Sequence, residues 1–107
     1  MNKEQFEAML EEMGIPYHYM EFDVGTIQPP FMVWYYDETS ELYADGICYA
    51  TVDSIVIELY GDEYDRSMED KIENVLRKYE IGYQKQREHI EDENLYETIY
   101  LMEVLRK

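Results

Sequence analysis

Twenty-five acids, two histidines and a single cysteine are the groups in this 107-residue chain with chemistry to offer. Paired carboxylates support acid–base work only where their environments push them apart. Adjacent acids recur here at Glu11-Glu12, Asp37-Glu38, Asp62-Glu63 and Glu91-Asp92-Glu93, in expected turns and on wet helix faces. That pattern reads as solvated charge. Residues 61–65 carry three acids within four positions, Asp62, Glu63 and Asp65. They lack the Asp-x-Asp-x-Asp-Gly pattern of a calcium loop, so weak divalent binding is the most this segment offers. A zinc site needs about four closely spaced ligands, and His18, His89 and Cys48 are scattered. Cys48 lies among Ile47, Tyr49 and Ala50, where a small buried thiol is the expected state. The five glycines stand singly and form no phosphate-binding loop. The expectation is a protein without catalytic residues, cofactor or metal: not an enzyme.

The aromatic residues are the next candidates. Trp34, Tyr35 and Tyr36 form a run, with Tyr43 and Tyr49 close behind. Stacking nucleic-acid bases would need interleaved Lys or Arg, and none is present there. Core packing combined with a protein–protein contact fits better, since Tyr, Trp and Met are enriched at interfaces. Trp34, Tyr35, Tyr36, Tyr43, Tyr49 and Tyr100 are the candidate subunit or partner interface.

Charge narrows the function classes. Net charge is −16, yet 46% of the residues are hydrophobic and 15% aromatic. Disordered chains lack that aromatic content, so a folded single domain over residues 1–107 is expected. A chain of this length buries roughly 65% of its unfolded surface. Phosphate-backbone binding and anionic membranes both call for Lys and Arg, which number only 9. The imbalance is local. Residues 1–65 hold 15 acids and one base, a net of −14, and residues 66–107 hold 10 acids and 8 bases, a net of −2. Residues 1–13 are charged and amphipathic, unlike a secretory signal. No apolar run approaches a membrane span, and a cytoplasmic location follows as an expectation.

The elements that must position these residues follow from periodicity. Residues 2–13 read as a helix: Phe6, Met9, Leu10 and Met13 recur at helical spacing, Asn2 suits the cap and Gly14 the stop. Residues 16–22 suit a strand, and residues 25–30 a loop. Residues 31–36 (FMVWYY) suit a strand by aromatic and β-branched content. Residues 37–41 (DETSE) read as a polar turn, and Asp45-Gly46 as a tight turn. Residues 52–60 alternate as a strand, with Ile55, Ile57 and Leu59 opposite Val56, Glu58 and Tyr60. Ser67 with Asp70 resembles a capping box for a helix reaching about Tyr79. Residues 83–90 alternate weakly, residues 91–94 turn, and residues 95–105 form a last strand apolar on both faces. The expected fold is α+β, a mostly antiparallel sheet with two helices on one face. A strand apolar on both sides needs cover on the second face, and a neighbouring subunit would supply it.

Five segments occur in order: PPFMVWY at 29–35, YADGICY at 43–49, IVIELY at 55–60, EDKIENVL at 69–76 and EDENLYETIY at 91–100. In that order and spacing the chain, from about Phe6 to Val104, resembles the tail terminator (tail completion) and head-to-tail joining proteins of long-tailed phages and prophages of Gram-positive bacteria. The resemblance implies a homo-oligomeric ring, usually of six subunits, in the virion neck. It is assembled in the bacterial host cytoplasm. Such a ring caps the tail-tube protein, ends its polymerisation and docks to the head connector, and DNA passes through without specific binding. It implies no catalytic residues and no membrane. An acidic chain also fits a second function, a small DNA-mimic inhibitor of a host nuclease or restriction enzyme. A mimic needs carboxylates spaced like duplex phosphates along one face, whereas many acids here fall in turns and between aromatic core positions.

Overall fold

Capping residues set the helix ends. In the computed structural model, which describes residues 1–20, 28–44 and 47–106 and the side chains of all of these outside 38–50, the first helix α1 spans Lys3–Met13. The Asn2 side chain accepts the Gln5 N–H at 2.8 Å, and the Gln5 side chain accepts the Asn2 N–H at 2.8 Å. Two otherwise orphaned donors are thereby satisfied. Gly14, at φ +70°, ends the helix in the left-handed region and returns its N–H to Glu11. The second helix, α2 (Arg66–Lys78), corrects the expected cap. Asp65, not Ser67, accepts the Ser67 and Met68 N–H groups, at 2.9 and 3.3 Å. Aspartate caps as well as serine does, and Asp65 holds the extended conformation that the position requires.

The strands are β1 (Tyr17–Tyr19), β2 (Phe31–Ala44), β3 (Ile47–Gly61), β4 (Tyr83–Ile90) and β5 (Leu95–Arg106). They form one sheet in the order β1-β2-β3-β5-β4. Only the β1–β2 pair is parallel. The fold is therefore the expected α+β class with a mostly antiparallel sheet. The polar segment 37–41 is not a turn. Glu38 pairs with Ser54, Thr39 with Asp53 and Glu41 with Thr51, and β2 runs on through it. A register shift between Tyr36 and Glu38 absorbs one residue, as a β-bulge does. Cross-strand pairing outweighs the turn propensity of DETSE. Among the described residues, β3 from Ile47 to Ala50 pairs with β2 alone, as a two-stranded extension of the sheet. The expected tight turn at 45–46, Glu21 and Phe22 of the first expected strand, and residues 25–27 of the expected 25–30 loop lie outside the described residues.

One cluster joins both helices to one face of the sheet. Phe6, Met9, Leu10 and Met13 of α1 and Ile72 and Leu76 of α2 pack on Met32, Trp34, Ile55, Ile57, Tyr100 and Met102. The alternation expected for β3 and β5 sends these sheet residues to the helix side. Phe31, Val33, Tyr60 and Leu95 form a smaller cluster on the other side.

The two helix-flanking glycines should behave differently. Gly14→Ala forces a Cβ into φ +70° and is expected to cost about 1 kcal/mol in urea unfolding. Gly82→Ala meets nothing within 4 Å and no positive φ, so its unfolding midpoint should stay near wild type.

Candidate interaction surface

Two groups of polar side chains define the surfaces of this sheet, one on each face. The first lies under α2. Glu69 is 1% exposed, and its carboxylate is fully engaged. Arg87 donates from Nε at 3.1 Å and from Nη2 at 2.7 Å, Lys85 at 3.0 Å and the Thr98 hydroxyl at 2.9 Å. One turn on, Glu73 accepts from Lys85 at 2.7 Å, Tyr100 at 2.8 Å and Tyr83 at 3.1 Å. Burial pushes both carboxyl groups up. The donors overcome it, holding Glu69 down at about 2 and Glu73 below its ordinary value. The Arg87 guanidinium also lies 5.5 Å from the Tyr64 ring, and Tyr64 meets Tyr96 edge-on at 4.8 Å. His89 stacks on Tyr96 at 4.2 Å. These contacts fasten α2 and the loop before it to β4 and β5.

The second group lies on the opposite sheet face, which no described helix covers. Glu58 accepts from Tyr35 at 3.1 Å and from Tyr60 at 3.0 Å. Burial, with Glu58 beside it, pushes the Tyr35 hydroxyl up to about 12. Glu97 is buried on β5, with Glu88 directly opposite it on β4. Burial raises its carboxyl above the ordinary range. A hydrogen bond with Tyr60 opposes this, and the neighbouring Glu58 and Glu88 reinforce it. Ile99 and Leu101 are half-buried on the same face, and Leu105 is 48% exposed. This face is thus apolar in part and crossed by carboxylates from three strands.

The expected interface residues are divided by the fold. Trp34 and Tyr100 are corrected: both are 0% exposed and belong to the core between sheet and helices. Trp34 packs on Phe6 at 4.8 Å and Tyr19 at 4.7 Å, and its indole N–H has no hydrogen-bond partner among the described residues. Tyr35 and Tyr36 are half-buried on opposite faces, Tyr35 beside Glu58 and Tyr36 against Trp34 at 5.4 Å. The side chains of Tyr43 and Tyr49, like that of Cys48, lie outside the described residues. Glu58, Glu69, Lys85, Arg87 and Glu97 were not singled out from sequence. The available signal was a charge set inside an otherwise apolar alternation, as at Glu58 between Ile57 and Leu59.

A groove of about 540 Å³ opens where β5 runs past the start of β4, lined by Asp37, Ser54, Tyr83 and Glu103 over Ile55, Leu101 and Met102. His18 lines a separate groove beside α1. Among the described residues, no three His, Cys, Asp or Glu side chains meet as a metal set. No described helix is long and apolar enough to cross a membrane. No protein-family model matches the chain, and no curated protein matches its sequence.

The two carboxylates predict opposite pH responses. Glu69 has a folded pKa below its unfolded one, so its stabilisation is complete above about pH 4.5 and is lost as pH falls towards 2. Glu69→Gln should cost about 2–3 kcal/mol near pH 7 in urea unfolding, and the deficit should narrow across that acid window. Glu97 has a folded pKa above its unfolded one, so its protonated form stabilises at low pH and that contribution is lost as pH rises. Glu97→Gln should therefore raise the unfolding midpoint near neutral pH and leave it unchanged below about pH 4.

Proposed function

We propose that this protein is a structural ring component of the neck of a long-tailed phage or prophage. Copies close into a ring of six, as the resemblance implies. The ring caps the tail tube, ends its polymerisation and presents a docking face to the head connector. The observation that carries this reading is the sheet face without a described helix layer, which combines apolar Ile99, Leu101 and Leu105 with Glu58, Glu88 and Glu97. An α+β layer with helices described on one face suits assembly into a larger body through the other. Carboxylates along it repel DNA phosphate, so a genome slides past without sticking. The role calls for no catalytic group, cofactor or membrane. It places the protein in the virion neck, and in the bacterial host cytoplasm during assembly.

Purified protein mixed with the tail-tube protein of the same prophage tests this by negative-stain imaging. The expected result is ring-shaped density at tube ends and tubes that stop growing. Bare ends and unchanged growth would contradict it. Inhibition of a host nuclease by the purified chain would support the DNA-mimic function in its place.

A further inference from the structure

We infer that copies of this chain join head to tail, with the β4 rim of one molecule against the α1 rim of the next. This rests on the ring reading above and names its interface. The two ends of the sheet differ in charge. At the β1 end, Glu4, Glu7 and Glu11 succeed one another three and four residues apart on α1, a spacing that stacks them on one side. That side overlooks β1: Glu11 accepts the Tyr17 hydroxyl at 2.9 Å, and burial, then Glu11 and Glu7, raise the Tyr17 pKa. Another side of α1 faces α2, where Glu12 accepts from Lys78 at 2.5 Å.

The far end is built differently. Arg77 lies close enough to Tyr83 of β4 to act on its hydroxyl. Arg66 precedes it by three helical turns on the same side of α2. Both guanidinium groups are exposed and form no ion pair among the described residues; Arg77 donates to the Asn74 side chain at 2.9 Å. Lys85 and Arg87 balance Glu69 and Glu73 beneath them. On the helix side of the sheet, Asp70 between the two arginines still leaves this rim net positive; Glu88 of β4 belongs to the other face, opposite Glu97.

Strand order adds a second argument. β4 is an edge strand, with no described strand on its outer side, and such an edge templates pairing with another chain. Successive pairings make β4 antiparallel to β1. A next copy placed with its β1 end at β4 therefore continues the antiparallel order and turns every open face to the same side. A two-fold contact between β4 edges would instead set Arg66 and Arg77 against their own copies and leave the α1 acids unmatched. Heterologous contacts of the first kind form a ring when the rotation from copy to copy closes, as the ring reading requires.

Sedimentation velocity on E4K/E7K, on R66E/R77E and on their equimolar mixture tests the inference, with circular dichroism verifying that each variant is folded. Wild type should self-associate, more weakly at high salt. Each variant alone carries two like-charged rims and should associate at least about tenfold more weakly. The mixture should regain near wild-type association, because each variant's rims match the other's and the two alternate. Association unchanged in either variant, or a mixture no better than its components, would overturn the inference and leave the ring reading intact. A wild type that stays monomeric at every concentration would also overturn it. The ring reading would fall only if tail tubes also stay uncapped.

Discussion

The buried Glu69 carboxylate is the constraint on which the rear half of the molecule depends. A carboxylate out of water is costly unless its lone pairs are satisfied, and here Arg87, Lys85 and Thr98 do so together. That requirement fixes where α2 sits over β4 and β5. It also explains how β4 is held at all. Six of its eight residues are exposed, and only Tyr83 and Ile90 are half-buried. Apolar packing alone would hold such a strand weakly, so backbone pairing with β5 and ionic links to α2 make up the difference.

The same network accounts for the uneven charge. Half of the bases in residues 66–107 are engaged inside the subunit, Lys85 and Arg87 on Glu69 and Glu73, Lys78 on Glu12, and Arg106 on Asp53 at 2.6 Å. Acids of the front half have few such partners. Lys3 sits over the Tyr19 ring at 3.8 Å and makes no ion pair among the described residues. Part of the excess negative charge thus lies on α1, at the β1 end of the sheet, where a head-to-tail contact of the proposed kind would find it.

Where a boundary depended on local chemistry, the sequence was legible. Asn2 and Gly14 delimit α1 as their types require, and the alternation of Ile55, Ile57 and Leu59 places the core side of β3. Two local signals misled. DETSE has turn composition, but pairing with residues 51–54 keeps it extended. Ser67 has cap chemistry, but Asp65 is equally competent and lies two residues earlier. The aromatic run combines core packing and contact surface, and strand alternation divides the two roles. A strand sends Trp34 to one face and Tyr35 to the other, and the helices then bury Trp34. The polar network was not legible, since Glu69, Arg87 and Thr98 meet only after β5 is inserted between β3 and β4.

A sheet face without a described helix layer, an edge strand flanked by Arg66 and Arg77 and a helix with an acidic rim describe a subunit suited to repetition. Electron cryomicroscopy of the assembled protein on tail-tube ends would test this most directly. The account predicts a closed ring in which Glu4 and Glu7 of each copy face Arg66 and Arg77 of its neighbour, with all the open sheet faces on the same side. A ring joined through other surfaces, or paired copies meeting across a two-fold axis at β4, would contradict it.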